Sequence, residues 1–438
     1  MSLFGAMNTA ISGLTAQAAA FGNISDNVAN SQTVGFKRTD TSFIDFLTTS
    51  TAKENTSGAV VATPDYINNV QGTVAQSDNP LALAITGQGF FPVSLATGSV
   101  GTGGSAPTFS TLPNYSRTGD FTMNNTGYLV NSAGEYLNGW SVNAASGVVD
   151  RNSLAPIQVN QTVYNPVATS AVTLAANLPA TPAAGSPVSS QVNVYDGLGT
   201  VHTVTLNWTQ NAQNDWTVSI NAPDDVTSAA RGTADVKFGT TSGNGVPDGT
   251  IGSLGTATGS ITTTSYAAKG AANVTFTSDF GQGAQTITLA LGNFGSSTGL
   301  TQYAGTTYSL RGLTQDGVPP GSFSSITTKA SGDIVVNYDN GQTRTIARVP
   351  IITFADPNAL QRQNGQAFTA TLSSGSAIAD DAGTNGAGGL IVGSIEQSNV
   401  DIAQEFSKLI VAQRAYSASA KMVTTADDML QQTIDMKR

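Results

Sequence analysis

Both ends of this 438-residue chain carry narrow apolar stripes at helical spacing, whereas the long middle region lacks that pattern. The stripes advance by alternating steps of three and four residues, which places them on one side of a helix, as in a coiled-coil seam. Terminal helices that can pair with each other and with copies of themselves are typical of a polymer subunit. The N-terminal stripe comprises Leu3, Met7, Ala10, Leu14, Gln17, Phe21, Ile24 and Val28. The C-terminal stripe comprises Ile402, Phe406, Leu409, Gln413, Tyr416, Ala420, Val423, Asp427, Leu430 and Ile434.

The composition argues against several classes of function. With 18 basic and 28 acidic residues the net charge is -10, whereas binding to nucleic-acid phosphates needs a basic surface. The absence of cysteine rules out disulfides, thiol nucleophiles and cysteine-ligated metals. No segment reaches the roughly 20 consecutive apolar residues of a membrane-spanning helix. The length predicts about two to four domains.

The first basic residue is Lys37, so the positively charged start of a cleavable secretory signal is missing. The preceding segment is amphipathic rather than uniformly apolar, which also differs from the core of such a signal. We therefore expect that a protein of this sequence, if it leaves the cell, does so by another export route.

The two stripes define the expected helices. The N-terminal helix is predicted over residues 3–28, where three glycines each weaken it by about 1 kcal/mol relative to alanine. Such a helix is marginal alone, so we expect it to become ordered on assembly. At the other end, the segment from Ser398 to Asp401 matches a capping box, with Ser398 as the cap. The predicted C-terminal helix continues to about Lys437.

Between the helices the residues favour short strands and turns, so the predicted fold is α+β multidomain, with coiled-coil-like terminal helices and mainly antiparallel β-domains. The clearest hairpins run from Val192 to Leu206 and from Ile334 to Val349, the second around an Asn-Gly turn. The first connector carries an apolar patch of Phe43, Ile44, Phe46 and Leu47. The expected segments are a helical domain at 1–28 and 398–438, irregular connectors at 29–71 and 376–397, a discontinuous inner β-domain at 72–157 and 286–375, and an inserted outer β-domain at 158–285.

No group of residues forms a recognisable catalytic, cofactor or metal site, so we expect a protein that is not an enzyme. The single histidine, His202, is interpreted as a structural strand residue, because no nucleophile elbow or zinc spacing accompanies it. The Gly87-Gln88-Gly89 segment lacks the third glycine of a dinucleotide fingerprint and is interpreted as a turn or close backbone approach. Acidic doublets begin at Asp224, Asp380 and Asp427, and the first two are interpreted as solvated loops.

Three polar residues interrupt the apolar stripes. Gln17 and Gln413 are candidates for setting the register of a helical bundle. Asp427 is either buried, in which case it needs a cationic partner such as Arg414 or Lys421, or exposed where the stripe frays.

The segment that follows the first stripe reads Ala29-Asn30-Ser31-Gln32-Thr33-Val34-Gly35-Phe36-Lys37 and resembles the signature of the bacterial flagellar rod and hook family. The signature positions are Ala29, Asn30, Thr33, Gly35, Phe36 and Lys37. Further similar motifs begin at Gly87, Tyr115, Ser398 and Ala412, so the resemblance covers about half of the chain. The length and the large inserted β-region favour the hook members of that family over the shorter rod members.

The resemblance implies a subunit of a flexible helical tube that acts as a universal joint between rod and filament. It implies an inner wall of terminal helices, export without a cleaved signal through the flagellar type III apparatus, and growth beneath a cap. Rod and hook–filament junction proteins are the implied neighbours. The alternatives are a distal rod or hook-associated axial protein, and a secreted β-rich adhesin, which explains the middle of the chain but not the paired stripes. A secreted glycan-cleaving enzyme is disfavoured because it lacks a plausible pair of catalytic carboxylates.

Overall fold

The structure is a computed structural model that describes residues 3–50, 55–100, 106–143, 146–182 and 187–436, with side chains at all of these except 3, 4, 48–50, 55–57, 99, 100 and 106. Within these ranges lie two long helices, α1 (Leu3–Ala29) and α2 (Ile402–Met436), separated by a chain that is almost entirely strand and loop. The α+β architecture predicted from sequence is confirmed. None of the described helices combines the length and apolar character that a membrane span requires.

The strands are numbered in chain order. Before residue 160 they are β1 (Thr39–Ser50), β2 (Asn55–Tyr66), β3 (Val74–Gln76), β4 (Leu83–Thr86), β5 (Phe91–Val100), β6 (Ala106–Phe109), β7 (Asn114–Ser116), β8 (Thr122–Met123), β9 (Leu129–Val130), β10 (Glu135–Val142) and β11 (Val149–Pro156). The middle strands are β12 (Ala171–Asn177), β13 (Val188–Tyr195), β14 (Val201–Ala212), β15 (Asp215–Asn221), β16 (Ala230–Phe238), β17 (Ile251–Ala257), β18 (Ile261–Thr263), β19 (Ala271–Asp279), β20 (Ala284–Asn293), β21 (Leu300–Thr301) and β22 (Ser309–Gln315). The last strands are β23 (Phe323–Thr328), β24 (Asp333–Tyr338), β25 (Thr343–Arg348), β26 (Ile351–Thr353), β27 (Gln361–Arg362), β28 (Ala367–Thr369), β29 (Ile378–Asp380), β30 (Gly389–Val392) and β31 (Ser394–Glu396). Single 3-10 turns occupy Gly239–Ser242, Pro357–Ala359 and Asn364–Gln366.

The chain divides into two compact units. Unit 1 comprises Met1–Gln161, Ser324–Asn337 and Thr343–Arg438, and unit 2 comprises Thr162–Phe323 and Tyr338–Gln342. The expected end of the inserted domain at residue 285 falls inside β20, which pairs along its length with β19. A boundary there would separate two hydrogen-bonded strands, so the structure extends the inserted unit to residue 323.

Unit 2 buries one large hydrophobic core between two sheets. One sheet is the antiparallel meander β13-β14-β15-β16-β17, and the other has the order β18-β19-β20-β12-β21, with β22 paired to β12. Apolar side chains alternate along the strands, as Trp216, Val218 and Ile220 do in β15, and they join Trp208 and Phe276 in the core. Burial of alternate positions is what a sheet with one solvated face produces. The predicted hairpin from Val192 to Leu206 is confirmed as β13 and β14.

Unit 1 contains a mainly antiparallel sheet with the strand order β23-β24-β25-β10-β5-β7-β28-β27. The predicted hairpin from Ile334 to Val349 is confirmed as β24 and β25, and the turn between them places Gly341 at φ 78°. A residue with a β-carbon is disfavoured at that angle, which explains why the turn needs glycine.

The prediction of an irregular connector is wrong over residues 39–66, where β1 and β2 form a long antiparallel hairpin. The apolar patch identified in the sequence lies in β1, and its side chains remain about half exposed, from 44% for Leu47 to 55% for Phe46. Because neither face of the hairpin is fully buried, its sequence lacks the strict apolar–polar alternation that identifies a strand. The prediction failed for this reason.

Glu135, at the start of β10, is a buried carboxyl that makes unit 1 sensitive to pH. Burial raises the pKa of Glu135 from 4.5 to about 7, although hydrogen bonds from Asn131 and Ser116 act in the opposite direction. Between these two values the folded protein retains a proton that the unfolded chain has lost, so the stability contributed by this group falls as the pH rises.

We expect Glu135→Gln to remove this part of the pH dependence and to raise the stability of unit 1 relative to the wild type at about pH 8. Urea denaturation of both proteins at about pH 5 and about pH 8, followed by circular dichroism, measures the difference. The same loss of stability in both proteins between about pH 5 and about pH 8 would contradict the assignment of this pH dependence to Glu135.

Candidate interface of the terminal helices

Helices α1 and α2 pack against each other in antiparallel orientation. Residues near the end of α1 face the start of α2, since Asn27 Nδ2 donates to Glu405 Oε2 at 3.0 Å, whereas Gly13 faces Ser419 further along α2. Between these points the rings of Phe21 and Tyr416 meet edge to face, with centroids 6.3 Å apart. The predicted pairing of the terminal helices is therefore confirmed.

The stripe predicted for α1 lies on its inward side. Ala10 and Ile24 are buried, the side chain of Leu3 lies outside the described set, and the other stripe residues are half-buried. Those half-buried residues are Met7, Leu14, Gln17, Phe21 and Val28. Gln17 is thus only partly removed from water, and its proposed role in setting the register stays a prediction.

The inward face of α2 differs from the predicted stripe. At three positions the buried residue is the one directly before the stripe residue. The buried residues are Glu405, Ala412 and Ala426, each directly before a stripe residue, and Leu409, Ala420, Val423 and Leu430 are half-buried. The remaining stripe residues are exposed: Ile402, Phe406, Gln413, Tyr416, Asp427 and Ile434. One residue is about 100° of helix rotation, so Gln413 and Asp427 face solvent instead of the partner helix. Alanine occupies the inward positions of α2 because a small side chain permits close approach of α1. At Gly13 of α1, for example, an added β-carbon would be in van der Waals contact with Ser419 Oγ of α2, at 3.5 Å.

A second row of apolar side chains on α2 remains more than half exposed within the described part of the chain. It includes Val411, Met422 and Met429, which are 67%, 58% and 52% exposed and lie at heptad-compatible spacings. Phe406 and Ile410 are also about half exposed, but they lie roughly 140° and 100° around the helix from Val411 and so belong to a different side of α2. An exposed apolar row of this kind is typical of an interaction site.

An adjacent side of α1 packs on the hairpin β1–β2. Ala16 and Ala20 are buried there, and Ser12 Oγ accepts a hydrogen bond of 3.1 Å from the backbone N–H of Val60. Asn23 Nδ2 donates to Thr41 Oγ1 at 2.8 Å. A helix that is marginal on its own is thus supported on two sides within the same chain.

A buried polar clamp joins α1, β1 and α2. The side chain of Asn27 pairs with both backbone groups of Thr39, donating to its carbonyl and accepting from its N–H, each at 2.9 Å. Glu405, which is fully buried, accepts from Asn27 and from Lys408 Nζ at 2.8 Å. Lys408 also contacts Asp40 Oδ1 at 2.6 Å. The clamp fixes the angle at which the hairpin leaves the helical pair.

The start of α2 differs from the predicted capping box. Asp401, not Ser398, is the N-cap, since its Oδ1 accepts from the backbone N–H groups of Ala403 and Gln404 at 2.9 and 3.2 Å. The helix therefore begins at Ile402 and is described to Met436, with Lys437 outside the described residues. An aspartate is as good a cap as a serine, so the sequence contained two possible starts.

Three charged residues that are distant in the sequence meet at one buried ionic cluster. Lys37 Nζ lies 2.6 Å from Glu396 Oε1, and Arg117 Nη1 lies 2.8 Å from Glu396 Oε2, with all three side chains no more than 2% exposed. Lys37 also donates to the carbonyl of Val70 at 2.7 Å, and the N–H of Gly72 donates to Glu396 Oε1 at 2.8 Å. This ionic cluster of Lys37, Arg117 and Glu396 ties the N-terminal signature to the β-region and to the segment before α2.

The cluster places two cations beside one carboxylate in a dry environment. Burial lowers the pKa of Lys37 from 10.5 to about 8; Glu396 opposes that shift, whereas Arg117 adds to it. Burial also lowers the pKa of Arg117, and again Glu396 acts in the opposite direction. The carboxylate thus favours the charged forms of both side chains, in opposition to the effect of burial.

The remaining signature residues shape the backbone around this cluster. Gly35 adopts φ 71°, and a β-carbon there would lie 2.7 Å from the backbone nitrogen of Thr118. Phe36 is buried beneath the guanidinium of Arg362, whose Cζ lies 4.3 Å from the ring centroid. Thr33 Oγ1 donates to Asn30 Oδ1 at 3.2 Å, and Ala29 is the last residue of α1. Sequence reasoning found the signature residues through the family motif but missed Glu396, which accepts from Lys37, Arg117 and the N–H of Gly35 and belongs to no motif that was recognised.

The residues considered for chemistry serve structural contacts. His202 stacks on Phe280, with ring centroids 4.1 Å apart, and its Nδ1 lies 3.0 Å from Asp224 Oδ2. The prediction that Asp225 lies in a solvated loop is wrong, because it is buried and pairs with Arg231 at 2.8 Å. Burial opposes ionisation of Asp225, but hydrogen bonds from Thr227 and from backbone N–H groups outweigh it and hold the pKa of that carboxyl below its usual range.

The other candidates are equally structural. Asp381 forms surface ion pairs with Arg151 and Arg348. Gly87 and Gly89 have φ of 98° and 127°, and a β-carbon on Gly89 would lie 2.1 Å from Ile351 Cγ2, which agrees with a close backbone approach. Across the described ranges, no group of three potential ligands is placed to hold a metal ion.

Four family sequence models match successive segments of the chain. "Flagella basal body rod protein" matches residues 7–37 and "Flagellar hook protein FlgE/F/G D1 domain" matches 84–173. "Flagellar basal body protein FlaE D2 domain" matches 158–318, and "Flagellar basal body rod FlgEFG protein C-terminal" matches 391–436. Paired terminal helices around nested β-units, together with these matches, define an axial protein of the bacterial flagellum.

Relatives are similar over the whole length. The "Flagellar hook protein FlgE" of Brucella suis is 32% identical, covering 100% of both chains, and that of Escherichia coli is 28% identical, covering 99% of this chain and 100% of its own. The crystal structure of Helicobacter pylori flagellar hook protein FlgE2 is 13% identical, with a TM-score of 0.46 over 72% of this chain and 98% of that one. The chain belongs to the flagellar hook protein family, a family of structural proteins that form part of the flagellum.

Proposed function

We propose that this chain polymerises into the flexible helical tube of the flagellar hook and acts as a universal joint that transmits torque from rod to filament. The observation that carries the proposal is the full-length similarity to hook proteins, at 32% identity, in a chain whose helix α2 leaves an apolar face uncovered. A subunit that buries such a face against its copies gains free energy from association, roughly 25 cal/mol for each Å² removed from water.

In this proposal the terminal helices, residues 1–28 and 398–438, form the inner wall of the tube. The contacts between subunits use both predicted stripes and, in addition, the second apolar row of α2 through Val411, Met422 and Met429. These surfaces differ between α1 and α2, so the contact is heterologous and can propagate into an open helical polymer.

The β-units form the outer layers of the proposed tube. Residues 29–71 and 376–397 connect the helices to an inner β-domain, and the inserted outer domain is best taken as unit 2, up to residue 323. Only 11% of all residues are charged, so contacts between outer units involve few strong ion pairs. Neutral surfaces can slide past one another as the tube bends, while the helical wall resists twisting.

Family membership also supports the proposed surroundings of the subunit. We propose that it leaves the cell through the flagellar type III export apparatus without cleavage of a signal peptide. It then adds beneath a hook cap, and the finished polymer lies outside the cell between rod and hook–filament junction proteins. No nucleic acid, cofactor or membrane insertion is part of this function.

Electron microscopy of the purified full-length protein tests the polymer. At high protein concentration in a kosmotropic salt, which strengthens apolar burial, we expect tubes that curve and have a central channel. Straight, short rods would support a distal rod or hook-associated protein instead. A monomer under all conditions that binds a surface glycan or host protein would favour the adhesin alternative.

A further inference from the structure

The segment that precedes α2 closes the β-region of unit 1. This closing strap, residues 387–399, contains β30, which pairs with β4, and β31, which pairs with β3. Single backbone bonds of 2.8 Å extend the contact, from Gly393 N–H to the carbonyl of Ala82, from Ser77 N–H to that of Gly393, and from Gln397 N–H to that of Thr73. Strands from the first quarter of the chain are thus completed by the segment just before α2.

The strap also supplies the carboxylate of the buried ionic cluster. Within the described residues, Glu396 is the acidic side chain that lies within 4.0 Å of Lys37 or Arg117. Its backbone carbonyl accepts from the N–H of Gly35 at 2.8 Å, so the signature turn is held by the same residue. If Lys37 and Arg117 stayed buried after the strap opened, they would have no counter-charge, and a buried charge without a partner is strongly destabilising.

We propose that residues 387–399 act as a strap that opens and closes as a unit, and that Lys37 and Arg117 are exposed to water whenever it is open. The closed strap is a precondition for the native position of α2, because only Val400 and Asp401 separate the two. Asn399 fixes that junction, accepting from the backbone N–H of Arg38 at 2.7 Å and donating to the carbonyls of Ile67 and Val70. Closure of the β-region and placement of the assembly helix are therefore one event.

This coupling has a consequence for a chain that emerges N-terminus first. Its β-region cannot be completed before residue 396 is available, and α2 follows within a few residues. The subunit then acquires its finished β-region and its paired helices together, not in separate steps. The proposal concerns the isolated chain in solution and does not depend on polymerisation.

Hydrogen exchange combined with lysine labelling of the full-length monomer tests the strap. We expect the amides of β30 and β31 and their partners in β3 and β4 to exchange at a common rate, faster than the amides of β24. Acylation of Lys37 Nζ should proceed at that same rate, because the amine is reached only when the strap opens. Lys421, which is exposed on α2, should react at once and serves as the internal reference.

Glu396→Gln should then accelerate strap exchange and Lys37 labelling together, by at least about 100-fold, while β24 changes little. The matched control is Asp381→Asn, which removes a carboxylate from a surface ion pair just before the strap and should change both rates less than about 3-fold. If Glu396→Gln does not fold, the proposal is decided by the wild-type protein alone, from its rates of strap exchange, Lys37 labelling and β24 exchange. Lys37 labelling that follows the exchange of β24, or strap exchange without Lys37 labelling, would overturn the proposal.

Discussion

Replacing both Leu14 and Leu409 by aspartate is expected to abolish polymerisation and to leave the β-units folded. Both leucines are half-buried in the helical pair, one on each helix. A carboxylate at either site loses apolar burial and must be desolvated to pack, and α1 has little helix-forming strength of its own to offset this cost. Sedimentation and electron microscopy measure the polymer. Circular dichroism and the fluorescence of Trp208 and Trp216, both fully buried in unit 2, report on the β-fold.

The matched control for that double substitution is Leu198→Asp with Leu372→Asp. These leucines are exposed, at 62% and 104%, and neither belongs to the terminal helices. We expect this control protein to form normal tubes, since exposed substitutions of this kind change stability by only about 0.5 kcal/mol. Normal tubes from the Leu14 and Leu409 variant would contradict the assignment of the helices to the polymer wall.

Arg117→Ala is expected to destabilise unit 1 by about 3–5 kcal/mol, the cost of removing one partner from a buried charge pair. The guanidinium bonds Glu396 at 2.8 Å and also donates to the backbone carbonyls of Ile85 and Gly87. Its loss leaves the carbonyl of Ile85 and Oε2 of Glu396 buried without this donor. Urea denaturation followed by circular dichroism measures the change, and unit 2 should unfold at its normal denaturant concentration.

Arg151→Ala is the control for that prediction. Arg151 also pairs with an aspartate, Asp381, but its side chain is 56% exposed. An ion pair exposed to water contributes about 0–1 kcal/mol to stability. Arg151→Ala should therefore lower the free energy of unfolding several-fold less than Arg117→Ala does. Equal effects would show that burial does not set the strength of the ionic cluster.

The predictions that succeeded depended on local signals. The β24–β25 hairpin was recognisable because an Asn-Gly turn lies between alternating apolar residues, and both terminal helices were recognisable by their spacing. Those that failed lacked such a signal. The hairpin β1–β2 has no buried face to produce alternation, and the cap of α2 had two equally good candidates in Ser398 and Asp401.

The sequence alone was less informative about which residues face inward. In α2 it favoured large apolar side chains, whereas the packed face uses Ala412 and Ala426 because close helix approach selects small residues. Asp427 illustrates the consequence, since of its two possible environments the structure supports the exposed one. A rotation of one residue along a helix is decided by the partner surface, which periodicity does not describe.

By itself, the sequence determined that this protein has paired terminal helices, a β-rich middle region and the motifs of a flagellar axial family, because periodicity, turn chemistry and motif residues are local properties. Only the tertiary structure decided that Lys37, Arg117 and Glu396 form one buried cluster and that the last strands complete the first ones. These contacts join residues up to 359 positions apart, and no local pattern encodes such a pairing. The terminal stripes remain the proposed assembly surface. In our proposal the placement of α2 depends on the strap and on its carboxylate, Glu396, which lies outside both stripes.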